Sequence, residues 1–249
     1  MNTIKKKDGE SEFSGIYTFS AEADRLDNTL QKSILQIYNY LTDKNPQAQY
    51  ILLCNKETTT EELTAFLYRV IKCDWKSCFI IAGIELLQYK QKTAFLSLLF
   101  ELYTNNENKM KSCLVVAYVD IEADIIKSIF ALKNTKSLRN VIKNIENQKM
   151  DNFDSKVEIV LSDRSGVGKS TYISSEIKKK NRKYICFPLG GVFTRKEVLK
   201  RLKELKNLKN ATLHLDLNDT DQIDLTMEFL FSILITKIYG QNDDIFLFT

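Results

Sequence analysis

Short apolar runs alternate with amphipathic stretches along the 249-residue chain, and that rhythm predicts strands followed by helices. In the first half, Gln49–Cys54, Ser77–Ala82 and Ser112–Val119 read as strands rich in β-branched and aliphatic residues. Thr58, Thr59, Thr60, Glu61 and Glu62 supply a cap and first-turn acids for a helix running to about Lys72. Glu85, Leu86 and Leu87 precede a second helix from about Lys90 to Tyr103, and Asp124–Leu132 reads as a short third. The second half repeats the theme. Val157–Leu161, Lys183–Phe187 and Ala211–Leu217 are its strands. Arg195–Leu208 is a Lys-rich helix with Val198, Leu202 and Leu205 on one face, and Gln222–Tyr239 is a long apolar helix. Ile245–Thr249 reads as the start of a fourth strand. Between the halves, Leu138, Val141, Ile142 and Ile145 fit one helical face, and Gln148–Asp154 reads as the linker. Strands and helices alternating at these lengths predict βαβ units and parallel sheets, an α/β fold.

One stretch carries chemistry. Asp163-Arg-Ser-Gly-Val-Gly-Lys-Ser-Thr171 lies between the Val157–Leu161 run and a helix beginning at Lys169 or Ser170. A phosphate-binding loop needs that context: backbone N–H groups at a helix N-terminus converge on the anion, and the helix dipole favours negative charge. Gly166, Val167, Gly168, Lys169, Ser170 and Thr171 would line the cradle. Lys169 would reach the β- and γ-phosphates of ATP, and the Ser170 hydroxyl would ligand Mg²⁺. Asp163 stands where the full pattern has glycine, and a carboxylate there is electrostatically unhelpful beside a triphosphate.

Asp216, near the end of the Ala211–Leu217 run, is placed to support Mg²⁺ through water, and it is the one candidate for a catalytic role. Leu217 follows it where many ATPases carry a second carboxylate that orients the attacking water, so binding and hydrolysis separate. Asp219 is the nearest substitute. His214 shares the Asp216 side of the strand by period-two alternation and reads as a packed, hydrogen-bonded residue without catalytic duty. It is the only histidine, so no Ser/His/Asp or Cys/His nucleophile arrangement is available.

Bulk properties narrow the class further. A net charge of +4 with interspersed signs gives no nucleic-acid footprint. The five cysteines, at 54, 73, 78, 113 and 186, are odd in number and sit mostly in apolar runs. They read as reduced, buried cytosolic thiols, and their spacing disfavours a zinc site. The polar N-terminus lacks a signal-peptide core, and no apolar run reaches the roughly 18 residues of a membrane span. The reading is a cytoplasmic protein with no membrane span.

Several segments, in order, resemble the AAA+ region of the mysterin family, giant RING-finger proteins that join AAA+ modules to ubiquitin-ligase activity. ILLCNKETTTEELTAFLYR is similar to that family's LLC-x-x-x-TT-x-EEL segment, and GIELLQYKQK to its ELL-x-Y segment. SDRSGVGKSTY is similar to its S-[DE]-R-x-GVGKS-x-Y loop, and LHLDLND and MEFLFSILI to its LHLD and EFLF segments. The family also has an acid at the Asp163 position. The resemblance implies two P-loop NTPase-like, three-layer AAA+ lobes. Residues 16–148 would form a degenerate lobe without a phosphate loop, after a disordered tail at 1–15. Residues 149–249 would form the N-terminal part of a nucleotide-binding module, truncated before its remaining strands and lid. It also implies ATP and Mg²⁺ as ligands, adjacent AAA+ modules as partners in cis, and ubiquitin machinery only through regions outside this chain.

Three functions follow as alternatives: an ATP-binding module with slow or no hydrolysis, an active motor ATPase, or a structural spacer in a larger assembly. A GTPase is disfavoured, because the only NKxD-like string, Asn55-Lys56-Glu57-Thr58, precedes the loop and lacks the aspartate. The duplicated lobe argues against a small-molecule kinase.

Overall fold

The computed structural model describes residues 14–21, 30–42, 44, 46–74, 76–106, 110–138, 157–161, 164, 166–205, 210–241 and 244–247. The chain divides into two compact units, Met1–Asp151 and Asn152–Thr249.

The first unit is a five-stranded parallel sheet. Its strands are β1 (Gly15–Ser20), β2 (Ile51–Leu53), β3 (Cys78–Ala82), β4 (Cys113–Tyr118) and β5 (Lys136–Ser137), and its helices α1 (Leu30–Thr42), α2 (Thr60–Ile71), α3 (Tyr89–Asn106) and α4 (Asp124–Phe130). The spatial order is β2-β3-β4-β1-β5, and every pair is parallel. β4 is bonded on both edges, with Val115 opposite Ile80 on one side and Tyr17 on the other. All five residues of β3 and all six of β4 are buried, so their sequences are continuous apolar runs without alternation.

The connections fix the layers. The chain leaves β1, crosses the sheet to β2, and then steps back through β3 and β4. Right-handed crossovers place helices on opposite faces when the direction of travel reverses. Accordingly Phe79, Ile81, Leu114 and Val116 pack with Leu63, Phe66 and Leu67 of α2, Phe95 and Leu99 of α3, and Ile126 and Ile129 of α4. Buried Ile34, Ile37, Tyr38 and Leu41 of α1 lie outside that cluster, as do the alternating residues Ile80 and Val115. Helix α2 starts on a capping box: Thr59 Oγ1 accepts from the Glu62 amide at 3.2 Å, and the Thr59 amide donates to Glu62 Oε2 at 2.7 Å.

The apolar pattern located β2, β3 and β4 and helices α2 to α4, but β1, α1 and β5 were not anticipated. β1 (GIYTFS) carries two polar residues, and β5 is two residues long, so neither gives a periodic signal. Gly15, placed in the N-terminal tail on sequence grounds, opens β1 opposite Cys113. The linker Gln148–Asp154 and the positions 141, 142 and 145 lie outside the described residues. Leu138, just before them, is buried.

In the second unit, β6 (Lys183–Leu189) and β7 (Ala211–Leu217) form a parallel pair in register from Lys183 opposite Ala211 to Leu189 opposite Leu217. Around it are α5 (Lys169–Lys179), α6 (Arg195–Leu205) and α7 (Ile223–Phe231). Phe187 and Leu189 pack with Val198, Leu199 and Leu202 of α6 and Phe229 of α7, and the Phe187 and Phe229 rings stack at 5.3 Å. Leu205 joins this cluster at its border. The Arg195 guanidinium, at the start of α6, pairs with Glu228 of α7 where both are largely buried.

Two readings of this unit are corrected, and a third gains its pairing. Val157–Leu161 is not a strand: Ile159 and Leu161 are 69% and 86% exposed, and no described strand bonds to it. A β-branched run becomes a strand only where a neighbour supplies the ladder and a layer covers it. The long helix predicted over Gln222–Tyr239 ends at Phe231, passes through a wide π turn at Ser232–Thr236, and stops at Lys237 with φ 60°. Ile245 falls in a strand, as expected, but not in the parallel pair. It lies in β9 (Asp244–Leu247), which forms an antiparallel hairpin with β8 (Ile238–Gln241).

Phe79 is 2% exposed and contacts Phe66 edge-on at 6.0 Å and Tyr50 at 5.3 Å. Phe79→Ala should therefore destabilise the first unit by about 3–5 kcal/mol through lost transfer energy and a cavity. The check is a lower urea midpoint, at unchanged m, for the transition that reports this unit.

Candidate nucleotide-binding site

The described part of the glycine-rich segment comprises Arg164 and Gly166 onward. Asp163, with Ser162 and Ser165, lies outside it. Gly166 (φ 74°) and Gly168 (φ 85°) are both left-handed, a conformation L-residues with a Cβ rarely hold. A Cβ at either position would meet nothing within 4 Å, so the backbone angle and not crowding requires glycine there. Gly168 is the N-cap of α5 and has no side-chain cap. The first intrahelical bond runs from the Tyr172 amide to the Gly168 carbonyl at 2.9 Å. The amides of Lys169, Ser170 and Thr171 thus precede the bonded ladder of the helix.

The electrostatics of α5 are polarised. Its first turn holds no acidic residue and its last turn holds Lys178 and Lys179, so side chains leave the positive end uncompensated and support the negative end. Among the described residues Lys169 forms no ion pair. Other cations of this region are engaged: Lys179 bonds Glu176 at 2.6 Å, and Lys180 bonds Glu158 at 2.8 Å. Ser170 and Thr171 are exposed, and Val167 is 58% exposed. A helix N-terminus with no acid in its own first turn, preceded by left-handed glycines and opening with an ammonium that is unpaired among the described residues, suits a phosphate.

Asp216 is the penultimate residue of β7, half-buried and opposite Pro188. Beyond it the loops after β6 and β7 are laced together: Asn218 N donates to Leu189 O at 3.2 Å, Gly191 N to Asp219 O at 2.9 Å, and Thr220 Oγ1 to Gly191 O at 2.7 Å. A Cβ on Gly190 would sit 2.7 Å from Asn218 Cβ, which is why the loop after β6 needs glycine. Gly166–Thr171 are brought together as one loop and helix start. No hydrogen bond or ion pair joins Asp216 to Lys169 or Ser170. A magnesium ion would take the Ser170 hydroxyl and, through water, the Asp216 carboxylate, and no described group of three or more His, Cys, Asp or Glu residues forms a metal site of its own.

The pairing register sorts β6 and β7 into two faces. Ile185, Phe187, Leu189, Leu213 and Leu215 alternate with Tyr184, Cys186, Thr212, His214 and Asp216, and the second set shares a face. There the Tyr184 hydroxyl and His214 Nδ1 lie 2.8 Å apart, so His214 is a partly buried, hydrogen-bonded residue as its place in the strand implied. Burial raises the Tyr184 phenol, with Cys186 and Asp216 adding to it. Tyr184 was not singled out from the sequence, although alternation in KYICFPL against ATLHLDL places it on the His214 face once the register is known. Cysteines 54, 78 and 113 are buried as anticipated, Cys73 is partly so, and Cys186 is exposed, against that reading. All five are free thiols. No described helix is long and apolar enough to cross a membrane.

Five parallel strands in the order β2-β3-β4-β1-β5, sandwiched between helices, define an AAA-like α/β lobe. Residues 26–137 match the family model described as the RNF213 AAA domain. The match supports an RNF213/mysterin-type AAA region and spans α1 to β5, wholly within the first unit and short of the glycine-rich loop. Comparison with curated proteins yields no match.

Because the folded-state value of Tyr184 is raised, its neutral form contributes stability that is complete below about pH 10 and lost as pH rises through the folded value. Thermal melts between pH 9 and 11 should show a steeper alkaline decline for the natural chain than for Tyr184→Phe.

Proposed function

We propose that the second unit is an ATP-binding AAA module that holds nucleotide with Mg²⁺ and hydrolyses it slowly or not at all. The reading rests on one observation: two left-handed glycines deliver the chain to a helix whose first turn is free of acids and side-chain caps and opens with Lys169, which forms no ion pair among the described residues. Amides from Gly166 to Thr171 and the Lys169 ammonium bind the phosphates, Ser170 takes the magnesium, and Asp216 supports it through water. The bound metal would neutralise phosphate charge. The AAA family match in the neighbouring unit supports the class of nucleotide-binding module.

Leu217, 56% exposed, directly follows Asp216, and its side chain has no carboxylate to orient a water molecule, which favours holding over turnover. Asp219, whose carbonyl accepts from Gly191, is the acid that would serve an active motor. The proposed setting is a mysterin-like ubiquitin ligase in the cytoplasm, with adjacent AAA modules as partners and ubiquitin transfer carried elsewhere.

Lys169→Ala removes a charge-assisted contact of roughly 1.5–3 kcal/mol, so ATP affinity should fall about 10- to 100-fold. Calorimetric titration with ATP and Mg²⁺ checks this, and equal affinity of mutant and natural chains refutes the phosphate loop. Steady-state phosphate release should stay below about 1 s⁻¹, the low end of ordinary enzymes. Faster turnover transfers the assignment to the motor ATPase.

A further inference from the structure

In parallel α/β sheets, ligands bind beyond the carboxyl ends of the strands. In the first unit those ends are β2 at Leu53, β3 at Ala82 and β4 at Tyr118, and side chains of the unit itself cross between them. Glu85, the first carboxylate past β3, accepts from the Val119 amide, just past β4, at 2.8 Å through Oε1. Gln88 Nε2 donates to the Lys56 carbonyl, just past β2, at 2.9 Å. Gly83 is left-handed at φ 71°, and a Cβ there would lie 2.9 Å from the Cys54 carbonyl and within 4 Å of the Leu86 and Leu30 side chains. The edge is closed from three directions.

Glu85 is central to this closure. Its Oε2 is buried without a partner, a costly state for a carboxylate, so the side chain is held inward by its Oε1 bond to Val119 and not by complete satisfaction. Its field reaches across the edge: burial raises the Cys54 thiol well above its ordinary value, with Glu85 and then Glu62 adding to it. In the second unit Asp216, penultimate in β7, makes no such bond to a neighbouring strand end among the described residues.

We infer that Glu85 is a latch that fixes the carboxyl ends of β3 and β4 to each other, so that this edge of the first unit is held closed by the unit's own side chains. A carboxylate past the third strand, where a P-loop ATPase holds metal or water, serves here as an internal cap on a backbone amide. The inference is independent of nucleotide binding by the second unit.

Amide hydrogen exchange on the full chain tests it. Val119 should exchange about tenfold faster in Glu85→Ala, the scale of losing one hydrogen bond to a charged group. Glu85→Gln, which keeps the acceptor, should stay near the natural rate. Cys113, whose amide bonds the Ser77 carbonyl at the opposite end of the same strands at 2.9 Å, should be unchanged, which separates release of the latch from global unfolding. An unchanged Val119 rate in Glu85→Ala overturns the latch.

Discussion

The backbone ladder on the two edges of β4 is the constraint on which the first unit depends. Buried amides and carbonyls must be paired, and a strand flanked by β3 and β1 achieves this along its whole length. With β4 fixed between those neighbours, right-handed crossovers leave one arrangement of helices: α1 on one face and α2, α3 and α4 on the other. The apolar runs CFIIA and CLVVAY follow from that placement, since each side chain meets a helix whichever way it points.

The same constraint explains the second unit by its incompleteness. Among the described residues β7 is bonded to β6 alone, and Val157–Leu161, with composition suited to a strand, has no ladder. The loop that follows keeps its character nonetheless, because left-handed glycines and a polarised helix are local properties that do not need the sheet. What the sheet contributes in parallel α/β proteins is the position of the loop relative to the acid at the end of a neighbouring strand. Phosphate chemistry in this unit is therefore carried by α5 and its cap, and the metal-supporting role of Asp216 belongs to the proposal and not to the observed contacts.

The two units carry different groups at their loop edges. One closes its edge with Glu85 and Gln88, while the other presents amides and, among the described residues, an ammonium without an ion pair at Lys169. A carboxylate near a strand end is not a function in itself. Glu85 meets a backbone donor and becomes structural, whereas Asp216 makes no such bond.

Residue order by itself determined the alternation of strands and helices, the capping box at Thr59 and Glu62, and the glycine–lysine turn before α5, because each is fixed within a few neighbouring residues. It also gave His214 its hydrogen-bonded character. It did not reveal β1 or β5, whose place comes from pairing with segments distant in sequence. Nor did it reveal that Ile245 folds back in a hairpin or that Glu85 reaches Val119, 34 residues away. Hydrogen bonds across strands are long-range in sequence, and composition carries little information about which partner a strand will find.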